Sequence, residues 1–108
     1  MNAAISKKLS GYRQQDRKYA IFSAPHFVTA AAVEKLLEGM KCRYCAEAML
    51  LVYPARHPKQ WTLDRVDNSL GHNNGNVVAC CLACNLKRRN QSAGKFLFTK
   101  QLQVVKLG

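Results

Sequence analysis

Two short cysteine pairs constrain this chain more than any other feature. Cys42 and Cys45 form one C-x2-C and Cys81 and Cys84 another, with residues 46–80 between them. A two-residue gap turns the chain tightly enough to put both sulfurs of a pair on one ion. Four thiolates in two such knuckles close a tetrahedral site, and zinc favours both that geometry and sulfur. The interval exceeds the commonest finger spacing, so a substructure is expected between the knuckles. Zinc here would be structural, holding the ends of the insert together and contributing directly to folding. The chain has 108 residues, which makes one domain with a modest core, and such domains often need a metal or disulfide staple.

Cys80 is the odd cysteine. It reaches Cys84 only as C-x3-C, and on a strand Cys80 and Cys81 face opposite sides. The C-x2-C geometry selects Cys81, which leaves Cys80 as a small buried apolar residue. A redox C-x-x-C fits less well, because two pairs are present and no thioredoxin-like pattern surrounds them. The N-terminus "MNAAISKKLSGYRQQDRKYAIF" lacks the apolar centre of a secretory signal, and the chain has no apolar run of roughly 18 residues that could span a bilayer. The expected location is intracellular, in the cytoplasm, nucleoid or nucleus, where cysteines read as ligands before disulfides.

Seventeen Lys and Arg against six Asp and Glu give a net charge of +11. An excess of that size points to a polyanionic partner, since neutralising phosphates releases condensed counterions. Nucleic acid is the expected partner, and a membrane surface is the weaker candidate.

The patterning predicts a single α+β domain in three parts: an N-terminal helical region over 1–40, knuckles and insert over 42–90, and an extension over 91–108. Residues 1–24 predict a helix ended by Pro25, because the residue before a proline disfavours helix. A second helix is predicted from about Thr29 to Glu38. There Val33, Leu36, Leu37 and Met40 repeat at the period of one buried face, and Gly39 supplies the stop. "AMLLVY" reads as a short buried strand stopped by Pro54 and Pro58. "WTLDRVD" and "VVACC" read as strands around the Asn- and Gly-rich loop "NSLGHNNGN", and "ACNLKRRNQ" begins a helix. The C-terminal "KFLFTKQLQVVKL" fits either strand or helix.

Strand, loop, strand and helix make a ββα unit inside the knuckles. The segments "LDRVDN", "GHNNGNVV" and "CLACNLKRR" resemble the HNH, or His-Me finger, endonucleases in their Asp-Arg branch. The resemblance covers roughly residues 42–90, and it rests on the order of these elements, none of which is specific alone. It implies a zinc-stapled ββα-metal core and hydrolysis of phosphodiester bonds in DNA, with RNA as the alternative partner. It also implies one catalytic divalent ion, Mg2+ or Mn2+, on Asp64 and Asn85. Both residues offer oxygen, which suits a hard cation. With two protein ligands, phosphate oxygens and water fill the rest of the shell.

The chain departs from many members of that family at the base. Arg65 follows the first ligand where a histidine is common, and a guanidinium does not give up its proton. The resemblance places the base after the loop glycine, at His72, where a neutral imidazole could take the proton of the attacking water. Arg65 would then clamp the phosphate. Asn76 resembles the middle Asn of the family and is expected to brace the loop. Asp67 reads as the cap of the turn, with a ligand or base role as the alternative. Lys87, Arg88 and Arg89 after the site, and Arg56 and Lys59 in a basic loop, are candidate phosphate contacts, although on a helix at most two of the first three can face one backbone. Cutting both strands of a duplex with one site per chain calls for a homodimer. The rival reading is a zinc-ribbon module that binds nucleic acid without cutting it.

Overall fold

The computed structural model describes residues 3–88. The expectations for Arg89 and for the extension over 91–108 lie outside the described residues. Element order is α1 (Ala3–Lys18), α2 (Ala30–Leu36), a 3₁₀ turn (Glu38–Met40), β1 (Trp61–Arg65), β2 (Val77–Cys81) and α3 (Leu82–Arg88). Among the described residues this is a small α+β protein with three α-helices and one two-stranded antiparallel sheet. No helix of the described residues is long and apolar enough to cross a membrane.

Helix α1 buries Ile5, Leu9 and Asp16 and turns Lys7, Arg17 and Lys18 outward. It ends seven residues before Pro25, earlier than the proline alone predicts, and its ending has its own cause. Ala20 adopts φ 58°, Ala20 N–H donates to Arg17 O at 3.1 Å, and Ile21 N–H donates to Asp16 O at 2.9 Å. That pair of bonds is a Schellman cap with alanine at the position glycine usually takes. Helix α2 starts where Thr29 Oγ1 accepts from Ala32 N–H at 3.1 Å, a side-chain N-cap. Gly39, at φ 78°, sits inside the following turn and swings the chain toward the first knuckle. Val33 and Leu37 of the predicted face are buried, whereas Leu36 is exposed, since the helix is too short for a full stripe.

The predicted strand "AMLLVY" does not form. Only single bridges occur there, Lys41 with Ala48 and Leu50 with Gln60. Leu50 exchanges backbone bonds with Lys59 and Trp61, after which the chain bends and Val52 stands in solvent. Pro54 has no N–H to extend a ladder. The two strands after it pair in the register Trp61 with Cys81 through Arg65 with Val77. β1 ends at Arg65, two residues short of its predicted limit, because Asp67 turns the chain: its Oδ1 accepts from Ser69 N–H at 2.9 Å and from Ser69 Oγ–H at 2.6 Å.

Trp61, Thr62, Leu63 and Asp64 of β1 are all buried, so both faces of this small sheet are covered. Thr62 and Asp64, two apart on one strand face, meet Asn85 and Arg88, three apart on one helix face. The strand period of two and the helix step of three bring these side chains opposite one another. Val33, Trp61 and Leu63 lie at the centre of the core.

Candidate functional site

The four paired cysteines meet. The sulfurs of Cys42, Cys45, Cys81 and Cys84 all lie within 4.8 Å of one another, and Cys45 Sγ is 3.9 Å from Cys81 Sγ. A tetrahedral zinc with Zn–S bonds of about 2.3 Å sets its sulfurs roughly 3.8 Å apart, so the set fits the ion. Local structure builds the first knuckle. Lys41 pairs with Ala48, Cys42 N–H donates to Glu47 O at 2.8 Å, and Ala46 takes φ 63° to close the turn. The N–H groups of Tyr44 and Cys45 lie 3.4 and 3.5 Å from Cys42 Sγ, where they stabilise a thiolate. Cys81 and Cys84 join the cluster from the end of β2 and the first turn of α3. Hydrogen bonds with Cys81 and Cys84 hold the Cys42 thiol well below its ordinary range, and hydrogen bonds with Cys42 and Cys81 push Cys84 up. Sulfurs this close do not all ionise without a cation between them. Cys80 stands apart, fully buried opposite Thr62, 3.4 Å from its Oγ1, and burial raises its pKa.

A polar cavity of about 330 Å³ lies beside the strands. Asp64, Arg65, His72 and Asn85 all line it, together with Tyr12 and Gln15 of α1. Four residues singled out from three separate segments of the sequence therefore share one wall. Asp64 is buried and accepts at Oδ2 from Tyr44 Oη–H at 2.5 Å and from Arg88 Nη1–H at 2.7 Å. Burial and the Asp64 carboxylate together push the Tyr44 hydroxyl up, so Tyr44 stays a donor. Asn85 donates through Nδ2 to Thr62 Oγ1 at 3.0 Å, which turns its amide oxygen away from the strand. Asp64 and Asn85 thus bring oxygen-bearing side chains to the same cavity wall.

His72 is the most constrained residue of the cavity, and its partner was not evident in the sequence. Its Nδ1 is 2.7 Å from Oδ1 of Asp16 on α1, and its backbone N–H donates to Oδ2 of the same carboxylate at 2.7 Å. Both residues are buried. The imidazole stacks on Tyr12 with ring centroids 4.2 Å apart. Carboxylate acceptance at Nδ1 fixes the tautomer with its proton there and leaves Nε2 as the basic nitrogen. Burial lowers the His72 pKa, with a smaller contribution from the Arg65 cation, and Asp16 opposes both. Gly71 makes the approach possible: a Cβ there would stand 2.6 Å from Asp16 Oδ2 and 2.7 Å from Ile21 O. Asp16 is the one acidic residue in the basic stretch 1–33, and that isolation is the trace it leaves in the sequence.

Other expected contacts are placed differently. Arg88 is buried, not turned to solvent. Its guanidinium reaches the Asp64 carboxylate and the carbonyls of Arg65 and Val66, so it is not placed to take a phosphate. The reason is helical position, since Arg88 shares the inward face of α3 with Asn85 and Cys84. Arg65 lines the cavity but also donates from Nη1 to Asn68 O at 3.0 Å and Leu70 O at 3.2 Å, which ties the loop. Asn76 does not line the cavity. Its Nδ2 donates to Asp67 O and Gly71 O, and its Oδ1 accepts from Asp67 N–H, so it closes the loop that carries His72. Lys87 is exposed at the end of α3. Arg56 and Lys59 are exposed on a loop whose Pro58 carbonyl accepts from Ala83 N–H, near the start of α3 and away from the cavity wall.

Fold and cluster define a small α+β protein with a four-cysteine centre that could hold a zinc ion. No protein-family model, curated protein or solved structure matches the chain.

Proposed function

We propose that this protein is a metal-dependent endonuclease of the HNH type, with a ββα-metal core stapled by a structural zinc and DNA as its substrate. The observation that carries this reading is the buried Asp16–His72 pair opening on the same cavity as Asp64 and Asn85. A histidine locked in one tautomer beside a carboxylate and an amide has the parts that phosphodiester hydrolysis needs. A Mg2+ or Mn2+ ion on Asp64 and Asn85 would supply positive charge for the scissile phosphate and its leaving oxygen.

The chain's own residues supply the rest. His72 Nε2 takes a proton from water while Asp16 holds the imidazole and stabilises the imidazolium that forms. The hydroxide so generated bonds to phosphorus, the bond to the 3′ oxygen breaks with its electron pair on that oxygen, which takes a proton from water, and the products carry 5′-phosphate and 3′-hydroxyl. Arg65, at the cavity wall, faces the negative charge that develops on the phosphoryl oxygens. Exposed Lys87, Arg56 and Lys59, with the net charge of +11, hold the flanking backbone.

A specific observation favours a second reading, a zinc-stapled binder without catalysis. Arg88 already neutralises Asp64, and an arginine on a ligand carboxylate weakens its hold on a cation. Cleavage of plasmid, branched DNA and RNA, with magnesium or manganese added or left out, separates the two. Metal-dependent products that vanish in His72→Ala at unchanged zinc content support the nuclease. Tight binding with no products on any substrate supports the binder.

A further inference from the structure

Beside the polar cavity lies a larger one of about 660 Å³, between α1, the loop 51–53 and α3. Its volume falls in the range of about 300–1,000 Å³ typical of small-molecule sites. Tyr12, Gln15 and Asn85 line both cavities, so the two are adjacent. The walls are chiefly apolar, with Leu51, Val52 and Tyr53 on one side, and Val52 is 81% exposed at the edge. Gly11 leaves room on the α1 side, where a Cβ would meet nothing within 4 Å. None of the described lining residues is acidic, while Lys7 and Lys8 both belong to the wall.

Lys8 is held in an unusual way. Its Nζ donates to Tyr53 Oη at 2.5 Å and to Gln60 Oε1 at 2.8 Å, and it lies 4.5 Å from the centre of the Tyr53 ring. Both acceptors are neutral. Burial lowers the Lys8 pKa to about 8, so an arriving anion would stabilise its charged form. An apolar slot with an aromatic wall and an ammonium group at its side suits a flat ring joined to a phosphate.

We propose that this cavity receives one unpaired nucleobase of the bound strand, adjacent to the phosphate at His72, with Lys7 and Lys8 on the flanking phosphate. The placement next to the scissile bond rests on the nuclease reading. Tyr53 and the aliphatic wall cover the ring, and the amides of Gln15 and Gln60 meet its polar edge. A base inside a duplex is stacked and paired and cannot enter such a slot without being extruded. The substrate class is therefore DNA with an unpaired nucleotide beside the cut, as in a gap, a flap or a junction.

The test uses the full zinc-loaded chain and oligonucleotides of one sequence. One set is fully paired, one carries a single unpaired 2-aminopurine beside the expected cut, and one has an abasic residue there. Affinity of all three is read from the anisotropy of a terminal label and base insertion from 2-aminopurine fluorescence, both without divalent metal, and cleavage is read separately with magnesium or manganese. The expected result is quenching on binding and about tenfold weaker binding of the abasic and paired strands, the scale of one lost base–aromatic contact. Gly11→Phe fills the slot from an open helical position and should abolish the quenching and the preference while keeping zinc content and fold. Tyr53→Ala should reduce both. Cleavage without quenching, or equal binding of all three strands, overturns the base slot and leaves the nuclease reading intact. Quenching that Gly11→Phe removes, in a protein that cuts nothing, upholds the slot and overturns the nuclease.

Discussion

Asp16 and His72 are 56 residues apart in sequence, yet Oδ1 of the first lies 2.7 Å from Nδ1 of the second. The carboxylate accepts twice from the same residue, once from the ring and once from the backbone N–H. One side chain of α1 thus sets both the orientation of the imidazole and the path of the loop that carries it. Asp16→Asn offers one acceptor where two are needed, so an amide NH2 must oppose one of the His72 donors. If the nuclease reading holds, kcat falls by about 10²–10⁴ in this variant, in the range of a lost general base, with little change in DNA affinity. Single-turnover cleavage and a binding titration on the same oligonucleotide measure the two effects separately.

The pH dependence follows from the burial of that imidazole. The His72 pKa in the fold lies below its ordinary value of 6.5. Between the folded value and 6.5 the unfolded chain therefore binds more protons than the native one. Stability from this group is complete above about pH 6.5 and is lost as pH falls through the window below it. Thermal melts from pH 8 to pH 5 should show a decline in the wild type that is shallower in His72→Gln. Equal slopes in the two proteins would mean that His72 is not held neutral by the fold. Cleavage should fall over the same window, since only the neutral ring accepts a proton.

The sequence carried the second half of the site better than the first half of the chain. Residues 77–81 form the strand expected of them, and Asp64, His72 and Asn85 reach one cavity, because short-range periodicity and knuckle spacing determine where they point. Cys81 joins the cluster and Cys80 faces away for the same reason, the twofold alternation of a strand. Asp16 has no such local signature. Its role depends on how α1 docks, and docking is set by Ile5 and Leu9 against a distant core. The end of α1 was hidden as well, since a Schellman cap with Ala20 in place of glycine leaves no punctuation. "AMLLVY" is apolar enough for a strand but forms only single bridges, because no partner strand lies alongside it among the described residues. Arg88 misled because the basic run "KRR" hides which of its members turns inward.

The glycine at the dyad makes a sharp prediction. Gly71→Ala places a Cβ 2.6 Å from Asp16 Oδ2 and 2.7 Å from Ile21 O, and the second of these is backbone that cannot step aside. The expected cost is about 1–3 kcal/mol, as for other overpacked sites. Gly11→Ala is the matching control, because its Cβ meets nothing within 4 Å and lies inside a helix. That change should stabilise by roughly 0.5–1 kcal/mol. Urea unfolding of the two variants should move in opposite directions.

Metal content separates the cysteines. Cys42→Ser, Cys45→Ser, Cys81→Ser and Cys84→Ser each remove a sulfur from the cluster and should lose bound zinc and cooperative unfolding together. Cys80→Ala should keep one zinc per chain, because its sulfur lies against Thr62 and outside the cluster. Zinc determination on purified, dialysed protein checks this, and zinc lost from Cys80→Ala alone would reverse the assignment of Cys80 and Cys81.

The pairing of Asp64 with Arg88 is both a structural contact and a rival to the divalent ion. Arg88 is 2% exposed and Asp64 is 7% exposed, so removing either leaves a buried charge. Arg88→Met keeps much of the volume and removes the cation, and breaking a buried pair in this way costs about 3–5 kcal/mol. The same change should tighten divalent-metal binding if Asp64 is a ligand, since the carboxylate then has no guanidinium to satisfy it. Asp64→Asn, Arg88→Met removes both charges together and should recover part of the lost stability while binding no divalent ion. Manganese titration followed by calorimetry on the two variants distinguishes the roles. Tighter manganese in the single variant and none in the double places the ion on Asp64. Identical weak binding in both leaves Asp64 as the anchor of Arg88 alone and favours the non-catalytic binder.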